Sequence, residues 1–165
     1  MDPDRSLLTT LMLARGDVDR AAERRGDADW IAARRRDPRS RCLQVHGGGA
    51  RVIDDGGRPR LDLGPAADAT GDLTFLGVGD DGVAFFAEHA AERDGDGWGD
   101  LRTVGGLLDD RDAGLLVTAV ALDNWLRTHP RCPRCGTPTE SSSAGWSRRC
   151  PADGTDHFPR TDPAV

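Results

Sequence analysis

Three of the four cysteines lie near the C-terminal end of the 165-residue sequence, at a spacing typical of a metal site. Cys132 and Cys135 stand in a Cys-Pro-Arg-Cys-Gly motif, and Cys150 begins a Cys-Pro-Ala-Asp-Gly motif, with fourteen residues between Cys135 and Cys150. The two-residue spacer lets two thiolates converge on one ion, and the glycine frees backbone amides to point at sulfur. A second Cys-x-x-Cys motif at roughly this distance would complete a zinc ribbon, but Asp153 stands where the fourth cysteine belongs.

The residues alone leave three interpretations of this cluster open. Asp153 could supply a carboxylate oxygen at about 2.0–2.2 Å from zinc, His157 could close the site instead, or the metal has been lost and two turns survive. Three thiolates at ribbon spacing favour bound zinc, and we favour Asp153 over His157 as the fourth ligand. Because four filled positions leave none for water, the role of the zinc would be structural.

The sequence favours neither a redox role for Cys132 and Cys135 nor a metal-ligand role for Cys42. A redox pair at Cys132 and Cys135 does not suit the proline inside the motif or the absence of a βαβ pattern around it. Cys42 lies about ninety residues before the cluster, in a β-type run, and is expected to be a buried small apolar residue.

The elements that position the metal motif must precede it, because residues 130–165 are too polar to form a core. The clearest of them is a helix capped by Asp109 or Asp110, in which Leu115, Ala119, Leu122 and Leu126 recur at spacings of four, three and four. Pro130 ends this helix by His129. We expect the apolar face to pack in a core and Asp123, Asn124 and Arg127 to lie off that face.

A small, mostly antiparallel sheet is expected before this helix. Short β-type runs cover residues 42–46, 50–53, 73–78 and 83–87, and glycine-rich turn signals at 47–49, 55–57 and 79–82 separate them. A short helix over 27–36 is predicted, with Asp27 or Asp29 as its cap, and a polar surface loop over 91–99. The fold class is therefore α+β.

The charge balance limits the partners of the chain. The formal net charge is −6 and the pI is near 5.1, which argues against a broad face for nucleic acid. No apolar run approaches the roughly 18 residues of a membrane span, and acids stand where a secretory signal would carry bases. We expect a soluble, cytoplasmic protein with no membrane partner.

The order of motifs over residues 101–165 resembles the front part of the NADH pyrophosphatases, the NAD(H) diphosphatases of the Nudix superfamily. The resemblance rests on Leu-Arg-Thr-Val at 101–104, the helix that reaches Trp125, the cysteine motifs, Gly145-Trp146 and the run His-Phe-Pro-Arg-Thr-Asp-Pro-Ala-Val at 157–165. It implies an N-terminal domain over 1–129, a rubredoxin-like zinc ribbon over 130–160 and, at 161–165, the first residues of a Nudix domain that is absent.

The resemblance implies hydrolysis of the NAD(H) pyrophosphate to nicotinamide mononucleotide and AMP, with removal of NAD caps from RNA as a related activity. The glutamates of the Nudix box would bind the catalytic Mg²⁺ or Mn²⁺. This sequence has only four glutamates, Glu23, Glu88, Glu92 and Glu140, and they cannot form that box. We therefore expect a truncated chain with no catalytic residue that is inactive by itself. The alternative is a free-standing zinc-ribbon module for interaction or regulation.

Two residues match substrate contacts of the family. Phe158 would stack near the nucleotide, and Arg102 would meet phosphate. The alternatives are an apolar plug under the ribbon for Phe158 and a surface salt bridge to a nearby aspartate for Arg102. Gly145 stands where some relatives have a glutamate, so that contact is missing. Members of the family are commonly homodimers, which makes a homodimer the expected partner state.

Overall fold

The computed structural model describes residues 16–159 of the chain. The sequence-based expectation for 161–165, the start of a Nudix domain, lies outside the described residues. The larger body contains seven strands: β1 Arg41–His46, β2 Gly49–Asp55, β3 Arg58–Leu61, β4 Gly64–Pro65, β5 Leu73–Val78, β6 Ala84–His89 and β7 Trp98–Asp100. Its helices are α1 Ala28–Arg36, α2 Leu101–Val104 and α3 Asp110–Thr128. The predicted α+β class is confirmed.

The seven strands form one mixed sheet. Its main order is β3-β2-β1-β6-β5, with β4 paired to β1 and β7 paired to β2. The pairing of β1 with β6 is parallel, and the other pairings in the sheet are antiparallel. This agrees with the mostly antiparallel sheet that the sequence predicts.

Helices cover both faces of this sheet. Successive side chains of a strand lie on opposite faces, so each face carries its own set of apolar residues. Leu43, Val45 and Phe85 belong to the core under α3, whereas Cys42 and Phe86 belong to a second core that includes Trp30 and Ile31 of α1. Both helices begin as the sequence indicates: the Asp27 side chain accepts from the Trp30 amide at 3.0 Å, and the Asp109 side chain accepts from the Asp112 amide at 2.8 Å. The structure thus places α3 in the core, with its last residue at Thr128.

The expectation that Asp123 lies off the apolar face of α3 is wrong. Its side chain is only 1% exposed and accepts hydrogen bonds from the Gly47 amide, His89 Nδ1 and Arg127 Nε. Burial by itself raises the pKa of Asp123, but the hydrogen bonds from His89, Arg127 and Gly47 outweigh it and lower this pKa to about 2. Asp123 therefore fastens α3 to the β1–β2 turn and to the end of β6.

The predicted surface loop over 91–99 is partly wrong, because its end forms β7. Trp98 pairs with Arg51 of β2, so a long-range partner imposes strand geometry on a glycine-rich segment. The strand over Arg58–Leu61 was not predicted either, because Pro59 interrupts the β pattern there.

The C-terminal part is a three-stranded antiparallel ribbon attached to the sheet. Its strands are β8 Glu140–Ser142, β9 Ser147–Arg149 and β10 Asp156–His157, in the order β10-β9-β8. Trp146 fixes it by donating from Nε1 to the Phe75 carbonyl oxygen at 2.6 Å. Gly145 packs so closely on β5 that an added Cβ would meet the Thr74 hydroxyl and lie 2.8 Å from its Cα. None of the helices in the described part of the chain is long and apolar enough to cross a membrane.

Candidate metal centre

The two cysteine motifs fold into turns with the same backbone hydrogen bonds. In the first, the Cys132 amide donates to the Thr137 carbonyl at 2.8 Å and the Gly136 amide to the Cys132 carbonyl at 2.8 Å. In the second, the Cys150 amide donates to the Thr155 carbonyl and the Gly154 amide to the Cys150 carbonyl, both at 2.9 Å.

The glycines in the two turns also match, with φ of 74° at Gly136 and 73° at Gly154. This left-handed backbone is one that residues with a Cβ rarely adopt. Asp153 therefore occupies the same place in its turn as Cys135 does in the first. The replacement of cysteine by aspartate has left the backbone of the second turn intact.

The two turns bring four donor side chains together. Sγ of Cys132, Cys135 and Cys150 and a carboxylate oxygen of Asp153 all lie within 4.8 Å of one another. The Cys135 and Cys150 sulfurs are 3.5 Å apart, and Cys132 Sγ is 3.5 Å from Asp153 Oδ2. Ligands at about 2.3 Å (sulfur) and 2.0–2.2 Å (oxygen) around a tetrahedral ion are separated by roughly 3.5–3.8 Å. The donor spacing therefore fits zinc, and it is far longer than the roughly 2.05 Å of a disulfide.

The two carboxylate oxygens of Asp153 make different contacts, one with the backbone of its own turn and one with a cysteine sulfur. Oδ1 accepts from the Thr155 amide at 2.9 Å, and this hydrogen bond is the main reason that the pKa of Asp153 is lowered. Oδ2 faces Cys132 Sγ. A charged carboxylate thus points one oxygen at the place where the three sulfurs converge.

The sulfurs differ in their surroundings. Cys150 is fully buried, and burial raises the pKa of its thiol to about 11. Cys135 is exposed, and hydrogen bonding to Thr137 lowers the pKa of its thiol. Zinc binds the thiolate form, so metal binding to this set would release protons.

The two other candidate ligands lie outside this cluster. The four-residue group does not include His157, whose Nε2 is buried and makes no hydrogen bond within residues 16–159. Cys42 is buried in β1, where burial raises the pKa of its thiol to about 12, as expected for a small apolar core residue. The arrangement favours Asp153 over His157.

The two predicted substrate contacts are both exposed. Arg102 lies in α2 and forms no ion pair with any described residue, so the alternative of a surface salt bridge is not realised there. Phe158 follows β10 and is 63% exposed, so the alternative of an apolar plug under the ribbon is wrong. The structure does not bring either residue into the cysteine cluster.

A polar chain that the sequence did not predict connects the sheet to α3. The Thr74 hydroxyl lies 2.8 Å from His89 Nε2, and His89 Nδ1 lies 3.1 Å from Asp123 Oδ1. The order resembles a hydroxyl–imidazole–carboxylate triad, but Thr74 is completely buried and cannot meet a substrate. Its role is structural. The one sequence signal was an aspartate within the apolar stretch of α3.

Two family profiles match most of the described part of the chain. A family profile for an NADH pyrophosphatase-like rudimentary NUDIX domain matches residues 39–125, and one for the NADH pyrophosphatase zinc ribbon domain matches residues 127–158. The chain belongs to the NADH pyrophosphatase family. The resemblance drawn from the motifs is confirmed, and the cysteine cluster of this NADH pyrophosphatase relative lies inside the matched zinc ribbon.

Three relatives show how far the similarity reaches. The NAD-capped RNA hydrolase NudC of Mycobacterium tuberculosis (strain H37Rv) is 34% identical over 175 residues, which cover 98% of this chain and 53% of that protein. NudC of Deinococcus radiodurans is 40% identical over 65 residues (39% of this chain, 23% of the relative). Human mitochondrial NAD(P)H pyrophosphatase NUDT13 is 41% identical over 58 residues (35% and 16%). The chain spans about half the length of the mycobacterial relatives.

Proposed function

We propose that this chain is the non-catalytic scaffold of an NAD(H) diphosphatase, a hydrolase that cleaves the NAD(H) pyrophosphate to nicotinamide mononucleotide and AMP. The observation that carries the proposal is the pair of matched turns with four converging donors, within a chain similar to NAD-capped RNA hydrolases. NAD-capped RNA is accordingly a candidate substrate of the complete enzyme. The scaffold would present the ribbon and its exposed residues to a nucleotide bound by a catalytic Nudix domain.

In this proposal Cys132, Cys135, Cys150 and Asp153 hold one structural zinc ion. The ion would supply a crosslink between two turns that bury little apolar area. Among the described ribbon residues, 130–159, Cys132 and Cys150 are the only buried apolar side chains. Holding the two turns together keeps β8 and β9 in place, and with them the Trp146 contact to the sheet.

We propose that the chain alone does not cleave NAD(H). Its four glutamates belong to four separate segments, and Glu88 is occupied by hydrogen bonds from Gln44 Nε2 and the Thr70 and Gly71 amides. A Nudix site needs several carboxylates side by side to hold Mg²⁺ or Mn²⁺ against the pyrophosphate. The metal-dependent step would belong to residues outside this sequence.

Arg102 and Phe158 are proposed to contact the nucleotide in the complete enzyme. Arg102 is exposed and carries no ion pair with a described residue, so its guanidinium is available to a phosphate. Phe158 presents an exposed ring that could stack on a base. A homodimer and a cytoplasmic location are proposed for the complete enzyme as well.

The test measures zinc and hydrolysis on the same purified chain. We expect about one zinc per chain by elemental analysis, a loss of zinc in Cys150→Ser, and no loss in the matched control Cys42→Ala. We also expect no turnover of NADH, NAD⁺ or NAD-capped RNA with Mg²⁺ or Mn²⁺. Absence of zinc in protein purified without chelator would refute the metal site, and turnover abolished by a substitution within the chain would refute the scaffold role.

A further inference from the structure

The three sulfurs of the proposed zinc site differ in their access to solvent. Cys132 and Cys150 are 2% and 0% exposed, whereas Cys135 is exposed. A peroxide oxidises a thiolate only when its oxygen can reach the sulfur, so exposure selects the reactive residue. A dissolved peroxide therefore meets Cys135 before the other two sulfurs.

A second sulfur lies next to this exposed one. Cys135 Sγ is 3.5 Å from Cys150 Sγ, which belongs to the other turn. The sulfurs of a disulfide are about 2.05 Å apart, so an approach of roughly 1.5 Å would join them. The first turn has room for this movement, because a Cβ added at Gly136 would meet nothing within 4 Å. A bond between these two sulfurs would connect the two turns.

The third sulfur faces a group that cannot form a disulfide. Cys132 Sγ lies 3.5 Å from Asp153 Oδ2, where a fourth cysteine of a ribbon would supply its sulfur. The remaining cysteine, Cys42, is buried in β1 and does not belong to the four-donor group. Oxidation of the chain should therefore stop at one disulfide and leave Cys42 and Cys132 reduced.

We propose that Cys135 is a peroxide-reactive residue and Cys150 its resolving partner, so that hydrogen peroxide converts the ribbon to a zinc-free form with a Cys135–Cys150 disulfide. The inference rests on the proposed zinc site, because zinc ligation holds both sulfurs as thiolates. In the first step the Cys135 thiolate attacks a peroxide oxygen, the O–O bond breaks, and a sulfenic acid and hydroxide form. In the second step the Cys150 thiolate attacks the Cys135 sulfur, the S–O bond breaks, and a second hydroxide leaves. The two sulfurs are oxidised by two electrons, which reduce one hydrogen peroxide.

The disulfide would replace the crosslink that zinc supplies. Oxidation removes two of the four ligands, and Cys132 and Asp153 alone are too few to retain the ion. The new bond joins the same two turns, so the pairing of β8 with β9 and the Trp146 contact to the sheet should persist. Thiol–disulfide exchange with a dithiol would restore the thiolates and the zinc site. The ribbon would thus release its metal reversibly without leaving the sheet.

The first test treats the zinc-loaded full chain with hydrogen peroxide and follows zinc release with a chromogenic chelator. We expect one zinc released per disulfide and a fall from four thiols to two per denatured chain. Trypsin, which cleaves after arginine, separates the three ribbon cysteines into different peptides, so mass spectrometry of the non-reduced digest identifies the pairing. The peptides of Cys135 and Cys150 should be linked, and dithiothreitol with added zinc should reverse the change.

Three outcomes of this test would overturn the proposal: a Cys132–Cys135 disulfide as the main product, a disulfide between two chains, or retention of zinc after oxidation. The zinc content before oxidation separates this inference from the one beneath it. A chain that contains no zinc refutes the proposed metal site. A zinc-loaded chain that keeps its zinc under peroxide refutes only the oxidation proposed here.

The second test examines the order of events and the role of Asp153. Dimedone, which labels sulfenic acids, should mark Cys135 during oxidation and neither of the buried ligands. Asp153→Cys supplies a sulfur opposite Cys132 and should form a second disulfide, so that it consumes about twice as much peroxide per chain. Cys42→Ala is the matched control and should behave as the unmodified chain. Circular dichroism and zinc content verify the fold of each variant before oxidation.

The indole NMR signal of Trp146 reports whether the oxidised ribbon stays attached to the sheet, and we expect it to persist. Its loss on oxidation would contradict the replacement of one crosslink by the other. A dimedone label on a buried ligand, or a single disulfide in zinc-loaded Asp153→Cys, would contradict the assigned roles of Cys135 and Asp153.

Discussion

The contact of Gly145 with β5 makes the attachment of the ribbon sensitive to a single methyl group. Gly145 has φ of 92°, and an added Cβ would meet the Thr74 hydroxyl and lie 2.8 Å from Thr74 Cα and Cβ. Left-handed backbone costs alanine about 1–2 kcal/mol. Overpacking against immobile backbone costs about 1–3 kcal/mol more. We therefore expect Gly145→Ala to lower the free energy of unfolding by about 2–5 kcal/mol.

A second glycine separates these two contributions. Gly82 also has a left-handed backbone, with φ of 77°, but an added Cβ there would meet nothing within 4 Å. Gly82→Ala should therefore lose only the conformational part, about 1–2 kcal/mol. The difference between the two variants measures the cost of pressing a methyl group against Thr74.

Urea unfolding followed by tryptophan fluorescence measures both variants. The indole NMR signal of Trp146 reports whether its hydrogen bond to the Phe75 carbonyl survives in Gly145→Ala, and we expect that signal to shift. A loss of stability in Gly145→Ala no greater than in Gly82→Ala would refute the claim that the ribbon is wedged against β5.

Two further predictions concern charged groups. The pKa of Asp123 is about 2 in the folded chain and near 3.9 in an unfolded one. The ionised carboxylate therefore stabilises the fold above pH 4 by about 2 kcal/mol, and this stabilisation disappears as the pH falls toward 2. The stability difference between the unmodified chain and Asp123→Asn should therefore shrink from pH 5 to pH 2 in thermal unfolding, and a constant difference would contradict the network. In the ribbon, Asp153→Cys should retain zinc against a competing chelator longer than the unmodified chain, whereas Asp153→Ala should lose zinc fastest, because thiolate is the softer ligand. Equal retention in all three proteins would exclude Asp153 as a ligand.

The sequence predicted local features correctly where a single residue type determines the backbone geometry. Asp27 and Asp109 cap the predicted helices, and the glycines at 47–48 and 56–57 form the predicted turns. The cysteine motif could also be read locally, since the spacing within each turn fixes where its donors point. These features depend on neighbours in sequence, which is why the residues alone predicted them.

Features that depend on distant partners could not be read in this way. β7 exists because Trp98 meets Arg51, and Asp123 is buried because Gly47 and His89 supply its hydrogen bonds. Periodicity along the sequence carries no information about these encounters.

An aspartate can replace the fourth cysteine here because it satisfies both requirements of the position. In a cysteine turn, one sulfur accepts backbone amides and binds the metal; Asp153 separates the two tasks, with Oδ1 on the Thr155 amide and Oδ2 toward the sulfurs. Three thiolates and one carboxylate also carry the same formal charge as four thiolates, whereas His157 as the fourth ligand would reduce it by one. The second turn could therefore exchange sulfur for oxygen without rebuilding its backbone or its charge, at the cost of a harder ligand for zinc.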